Sequence, residues 1–455
     1  MNTTDYEHGS VPADQRRSWF SIAAVWIAIG IDISGAFLGI ELATGMEFGP
    51  ALLATTVGSL LLGLLAMACA YVGAATGLST AMVSRAVFGR IGGIVLAVAL
   101  ALSLLGWFAV QAGFFGVNAQ IAFTEITGVD VPVAVFTVIG GILMVLTALW
   151  GYRTISRLST VAVPVLLGLL VVGIVVAIAT RGTEGLSAPV EAYYTFGGAV
   201  SLVMSIFILG VVTAPDMARW AKTPKQAMAA GFVGFLFGNS IIIFVALVLS
   251  RIMGETELMT IFFLLGLGGV AVIVLVLAQW TTNTTNIYSA ALSFAAIGDP
   301  LSRRTLTIVG GVIGIVIAAF GAADNFIPFI SAIGVVVAPF GGVYLASFVV
   351  ERRSGRFDLD AEHRSVNGWA VAAWVVGTVV ALATTRPSDG LGFGWFDLTT
   401  IPALDGLLVG FAVYLLAALL VSRGDATGSG RSAGNGEAEA DAAAPRDGRA
   451  DEVVA

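Results

Sequence analysis

Apolar runs of about 20 residues, each ended by a short polar or charged segment, recur along the whole chain, and a run of that length crosses a hydrocarbon core as a helix. The pattern predicts twelve spans, over residues 18–43, 50–75, 91–123, 132–150, 158–180, 195–213, 226–250, 268–297, 306–320, 326–350, 369–384 and 401–421. Residues 258–265 read as a short surface helix. The segment before the first span lacks a basic start, a short apolar run and a cleavage site, so that span reads as a retained helix and not a signal peptide. From Gly424 the chain turns to Gly, Ala, Ser, Asp and Glu with scattered Arg, which cannot bury enough apolar surface to fold. The expected organisation is a polar N-terminal segment (1–17), a ten-helix core (18–350), two further helices (351–423) and a disordered tail (424–455).

Composition agrees: 58% of the 455 residues are hydrophobic and 11% charged, with mean hydropathy +0.96, whereas soluble domains carry roughly twice that charge. Charge also orients the spans. With the N-terminus inside, the interior loops collect Arg16, Arg17, Arg85, Arg90, Arg153, Arg157, Arg219, Lys222, Lys225, Arg303 and Arg304, while the exterior loops keep Arg181, Arg251 and Arg386 and hold acids such as Glu47, Glu184 and Glu257. A multi-pass protein of the cell membrane with both termini cytoplasmic follows. The net charge of -7 is spread over loops and tail and offers no basic face for nucleic acid. His8 and His363 lie in polar segments, which removes haem ligation, His-based zinc sites and Ser-His-Asp hydrolysis within the membrane. Cys69 is alone in an apolar run and reads as packing.

The first and sixth spans differ in texture from the rest. The first contains Gly30-Ile31-Asp32-Ile33-Ser34-Gly35 and then Gly39; the sixth passes Gly210 and ends at Pro215-Asp216. Interrupted segments at corresponding positions of two halves point to inverted repeats, spans 1 to 5 and 6 to 10, with backbone freed at mid-membrane depth for an ion or ligand. Close packing through small residues is the alternative for Gly35 and Gly39. Asp32 is the one acid in the middle of a span, where a charge lines a pathway, meets a cation or carries a proton, or else sits protonated and hydrogen-bonded. In the third span Trp107, Gln111, Phe114 and Asn118 share a helical face, either a ring-and-amide ligand surface or a packing face with an amide bridge. The eighth span carries Gln279 to Tyr288, which splits into a stripe of Ala278, Thr281, Thr282 and Thr285 and one of Gln279, Asn283 and Asn286. Hydroxyls beside freed carbonyls suit sodium, and amides suit a heterocycle with mixed edges. Asp216 and Arg219 read as an interfacial pair, with gating as the alternative.

Gly106-Trp107-Phe108, Phe207 with Asp216 and Arg219, Phe237-Gly238-Asn239-Ser240, and Trp280-Thr281-Thr282-Asn283 with Tyr288 resemble the purine and cytosine permeases of the nucleobase:cation symporter family, from Val11-Pro12 to about Val421. The resemblance implies an all-α polytopic membrane protein of twelve transmembrane helices with a leucine-transporter-like fold: a 5+5 inverted repeat plus two C-terminal helices, working by alternating access. It implies substrate contacts from Asp32, Trp107, Gln111, Phe207, Asn283 and Asn286, and a sodium site from Ala28, Ile31, Ala278, Thr281 and Thr282. Cytosine permeases have a glutamine where this chain has Leu104, and serines where it has Ile206 and Leu209. The expected function is import of a nucleobase or related flat heterocycle with sodium as coupling ion, without a cofactor and without enzymatic activity. Proton-coupled transport of hydantoin, allantoin or another heterocycle through Asp32 is the alternative.

Overall fold

The structure, a computed structural model, describes residues 13–150, 152–295, 302–354 and 365–432. Among the described residues fifteen α-helices follow one another: α1 (Trp19–Gly30), α2 (Ile33–Gly45), α3 (Phe48–Thr76), α4 (Thr80–Thr127), α5 (Val133–Trp150), α6 (Tyr152–Arg181), α7 (Phe196–Val212), α8 (Pro215–Ala218), α9 (Pro224–Met253), α10 (Leu258–Leu264), α11 (Gly268–Ala295), α12 (Arg303–Ala319), α13 (Phe326–Ser354), α14 (Gly368–Thr384) and α15 (Pro402–Ser432). Among the described residues, seven helices are long and apolar enough to cross a membrane, and five shorter apolar helices, Ile33–Gly45, Val133–Leu149, Phe196–Val212, Arg304–Ala319 and Gly368–Thr384, lie where the hydrophobic pattern puts the other spans.

Side-chain caps fix several starts: Ser79, Thr195 and Thr223 accept from Met82, Gly198 and Gln226 amides, each satisfying a donor the first turn leaves orphaned. The segment before the third span is helical too. α4 begins at Thr80 and turns at Gly89, whose φ of 81° and ψ of 173° no other residue type adopts readily. α10 is not the surface helix expected: Leu258, Met259, Ile261 and Phe262 are fully buried, because these apolar residues find a cover that a membrane surface would not give them. The backbone of α15 runs on to Ser432, into the segment that composition assigns to the tail; residues 433–455 lie outside the described residues.

Helices α1, α2 and α3 gather around α9, with α7 packed on α3 and α13, while α4, α5, α11 and α12 pack on one another. The second group has a core of its own, with Phe108, Phe115, Met144 and Ile287 at its centre. The first is drawn tight by glycine. A Cβ on Gly30 would come within 2.7 Å of the Gly238 backbone, and one on Gly35 or Gly39 would strike Ile242 or the Ile243 carbonyl. Gly35 and Gly39 are therefore packing residues, and Asn239 locks the same seam by donating to Ser59 Oγ and the Val203 carbonyl at 3.1 and 3.0 Å.

Candidate functional site

The first span breaks where its sequence resists helix. Gly30 is a poor helix former and Asp32 a strong N-cap; Ile31 (φ −84°, ψ 68°) and Asp32 (φ −113°, ψ 146°) leave the helical region, and α2 restarts at Ile33. Asp32 thus stands at the N-terminus of α2, where the helix dipole favours a negative charge. Ser34 Oγ donates to Asp32 Oδ2, and Gln111 Nε2 donates to the same oxygen at 3.0 Å. Among the described residues Asp32 Oδ1 and Gln111 Oε1 have no partner within hydrogen-bond distance, with the Thr282 hydroxyl near the carboxylate.

These groups line a cavity of about 390 Å³ between the two helix groups. α4 contributes Leu100, Leu104, Trp107 and Gln111, α7 contributes Ile206, Phe207, Leu209 and Gly210, and α11 contributes Thr282, Asn286, Ser289 and Ser293. The cavity continues past Thr213 to Asp216, on the side where Arg17 N–H bonds the Trp220 carbonyl at 2.7 Å, the face of the N-terminal segment. Toward the opposite face it has an aromatic roof. Phe37 and Phe114 stack with centroids 3.6 Å apart and planes at 15°, and Phe326 meets Phe114 edge-on at 5.2 Å. Trp107 is set against Phe329 at 84°; any side chain at position 106 would collide with that Phe329 ring, hence Gly106. Above the roof a second cavity of about 390 Å³ holds Glu41, Glu257 and Asp324.

The structure brings together Asp32, Trp107, Gln111, Phe207, Thr282 and Asn286. Asn283 lies elsewhere: fully buried, it donates to the Phe108 carbonyl at 3.0 Å and to Met144 Sδ at 3.2 Å, bracing α11 against α4 and α5. Ile31 closes α1 by donating to Ile27, and Ala278 is buried in α11; the side chains of Ala28 and Thr281 lie outside the described residues. Asn118 donates to the Phe114 carbonyl one turn back. Asp216 and Arg219 do interact, the Arg219 charge acting on the Asp216 carboxylate, but the pair does more than the spacing implies. Asp216 Oδ1 accepts the Thr80 N–H at 2.7 Å, capping α4, and Arg219 Nε donates to the Asp216 backbone carbonyl at 3.3 Å. Ser289 and Ser293 escape a search for polar blocks, yet Thr282, Asn286, Ser289 and Ser293 follow the i, i+4, i+7, i+11 spacing of one helical face.

The cytosine permease of Escherichia coli K12 is 29% identical to this chain over 380 residues, covering 82% of the chain and 88% of the permease. The hydantoin permease of Microbacterium maritypicum is 23% identical over 391 residues, 80% of each. The inward-facing conformation of Mhp1 superposes with a TM-score of 0.79 at 19% identity, covering 91% of this chain and 93% of that one. The fold is thus leucine-transporter-like, all-helical and polytopic. A model of permeases for cytosine/purines, uracil, thiamine and allantoin matches residues 10–405, and the chain belongs to that family, as a membrane transporter of nucleobase-like compounds and not an enzyme.

Proposed function

We propose that this chain is a secondary active transporter that imports a flat nitrogen heterocycle of the nucleobase class together with sodium, through twelve transmembrane helices arranged as a 5+5 inverted repeat plus two, with both termini cytoplasmic. The observation that carries this is the cavity beside the α1–α2 break, where an acid, an amide, two aromatic residues and the polar face of α11 converge between two packed groups of helices. Trp107 and Phe207 offer flat apolar surface to a ring; Asp32, Gln111 and Asn286 address its edge. Asn283 acts from behind, holding α11 in place. The end of α1 leaves its last carbonyls without intrahelical donors, and those of Ala28 and Ile31, with the Ala278 carbonyl and the Thr281 and Thr282 hydroxyls, form the proposed oxygen set for sodium. The chain's part in coupling is to hold the two halves of the first span in register with α11, so that ion and heterocycle each raise the other's affinity.

The cavity reaches toward the face of the N-terminal segment and is roofed on the other by Phe37, Phe114 and Phe326, which supports a conformation open to the cytoplasm. In the alternate state the roof parts while the α7–α11 side closes. Uptake of labelled heterocycle at fixed pH, with sodium replaced by choline, is expected to lose accumulation against a gradient; undiminished accumulation removes sodium coupling. A second reading, proton coupling through Asp32, is favoured by one observation: among the described residues no Lys or Arg pairs with that carboxylate. It predicts that accumulation survives choline and collapses with the proton gradient.

A further inference from the structure

We propose that the site selects a positively charged heterocycle with an amidinium edge, for which Asp32 is the counter-ion; this rests on the transport site proposed above. The hydrogen bonds of the pocket are lopsided. Both Ser34 and Gln111 spend their donors on Asp32 Oδ2, while among the described residues no donor stands at full hydrogen-bond geometry to Oδ1, the Thr282 hydroxyl and the Ile33 and Ser34 amides being the other polar groups near the carboxylate. Gln111, having given Nε2 to Asp32, is left with an unpartnered Oε1. Asp32 is 6% exposed and Gln111 1%, and both line the cavity. Two buried acceptors without donors are costly, and a ligand edge carrying two or more N–H groups satisfies both. An imide edge, with carbonyls on each side of one N–H, sets oxygen lone pairs against the same acceptors.

Charge points the same way. Among the described residues no basic side chain pairs with Asp32, which leaves its charge available to a cationic ligand entering the cavity. The vestibule above the roof is lined by Glu41, Glu257 and Asp324 and, among the described residues, by no Lys or Arg, an acidic mouth that favours cations. Trp107 and Phe207 add ring faces that attract a cation. The walls nearest α7, Ile206 and Leu209, have no group that would read a carbonyl.

The test uses the purified full chain in detergent at fixed sodium, following ligand-dependent thermal stabilisation. Two pairs of probes share a ring and differ at one substituent: 2-aminoimidazole with 2-imidazolone, and 2-aminopyridine with 2-pyridone. The aminated member is expected to bind at least about tenfold more tightly. Asp32→Asn removes that preference and Asp32→Glu keeps it, with the unliganded melting curve of each variant reporting its fold. Equal or tighter binding of the carbonyl members, or a preference that survives Asp32→Asn, overturns the inference. Should Asp32→Asn fail to fold, the preference of the parent chain decides alone. If none of the four binds, the inference is wrong, and the transport site itself falls only if cytosine, uracil and purines fail to bind as well.

Discussion

The first and sixth spans occupy corresponding places in the two halves, yet they are built differently. The first is two helices, α1 and α2, parted at Ile31–Asp32, and it delivers the polar side of the cavity through Asp32 and Ser34. The sixth is one unbroken helix to Val212; the turn falls beyond it, at Thr213 and Ala214 before the short α8, and it delivers Ile206, Phe207 and Leu209. The reason is local. Gly30-Ile31-Asp32 joins a weak helix former to a strong N-cap at mid-span, whereas Gly210 sits among apolar helix-compatible neighbours with no capping residue beside it. The first span therefore supplies the charge and the sixth an apolar wall, while Gln111 of α4 and the polar face of α11 add further hydrogen-bonding groups.

Removing the charge tests this division most severely. Asp32→Ala strips the polar side of its acceptors, and uptake efficiency is expected to fall about a hundredfold, the upper range for a charged hydrogen bond. Its melting temperature is expected to change little, since relief of a buried carboxylate without a basic partner is set against the Ser34 and Gln111 donors left without an acceptor. A fall in stability with unchanged uptake would assign Asp32 to structure instead. Next come the glycines. Gly30→Ala forces a methyl to 2.7 Å from the Gly238 backbone and is expected to cost about 1–3 kcal/mol, read as a lower melting temperature. Gly210→Ala finds the Phe235 ring at 3.4 Å, an ordinary contact, and is expected to be neutral or to gain up to about 1 kcal/mol of helix propensity. Equal losses at the two positions would mean that the spans are under the same constraint. The smallest effect is expected from Leu209→Ser, which places a hydroxyl on the apolar wall: competition assays should show a severalfold shift toward carbonyl-bearing ligands, about 1 kcal/mol for one hydrogen bond.

Hydrophobic pattern made the order of helices legible, and the break at Gly30–Asp32 could be read because glycine, aspartate and an otherwise apolar run contradict one another within a few residues. Packing direction was less visible. Asn283 and Asn286 lie on one predicted stripe, but their three-residue offset is enough to send the first to Phe108 and Met144 and the second into the cavity. Ser289 and Ser293 were hidden by Ile287, Ala290 and Ala291, which dilute a polar stripe that only a neighbouring helix reveals. Asp216 and Arg219 stand at ion-pair spacing and do interact, yet nothing in that spacing shows that Asp216 also caps the orphan amide of Thr80 in a distant helix. The aromatic roof joins Phe37, Phe114 and Phe326 from three helices, a meeting that no single-helix periodicity encodes.

The most direct test asks whether a heterocycle occupies this cavity and from which face the cavity is reached. Ser289→Cys places a thiol on its polar wall, and the native Cys69 is fully buried and stays silent. Labelling with a membrane-impermeant maleimide is predicted to be fast from the face that carries the N-terminal segment and to be suppressed by a transported heterocycle in the presence of sodium. Labelling that is indifferent to every transported heterocycle would show that the substrate site lies elsewhere and would contradict the account.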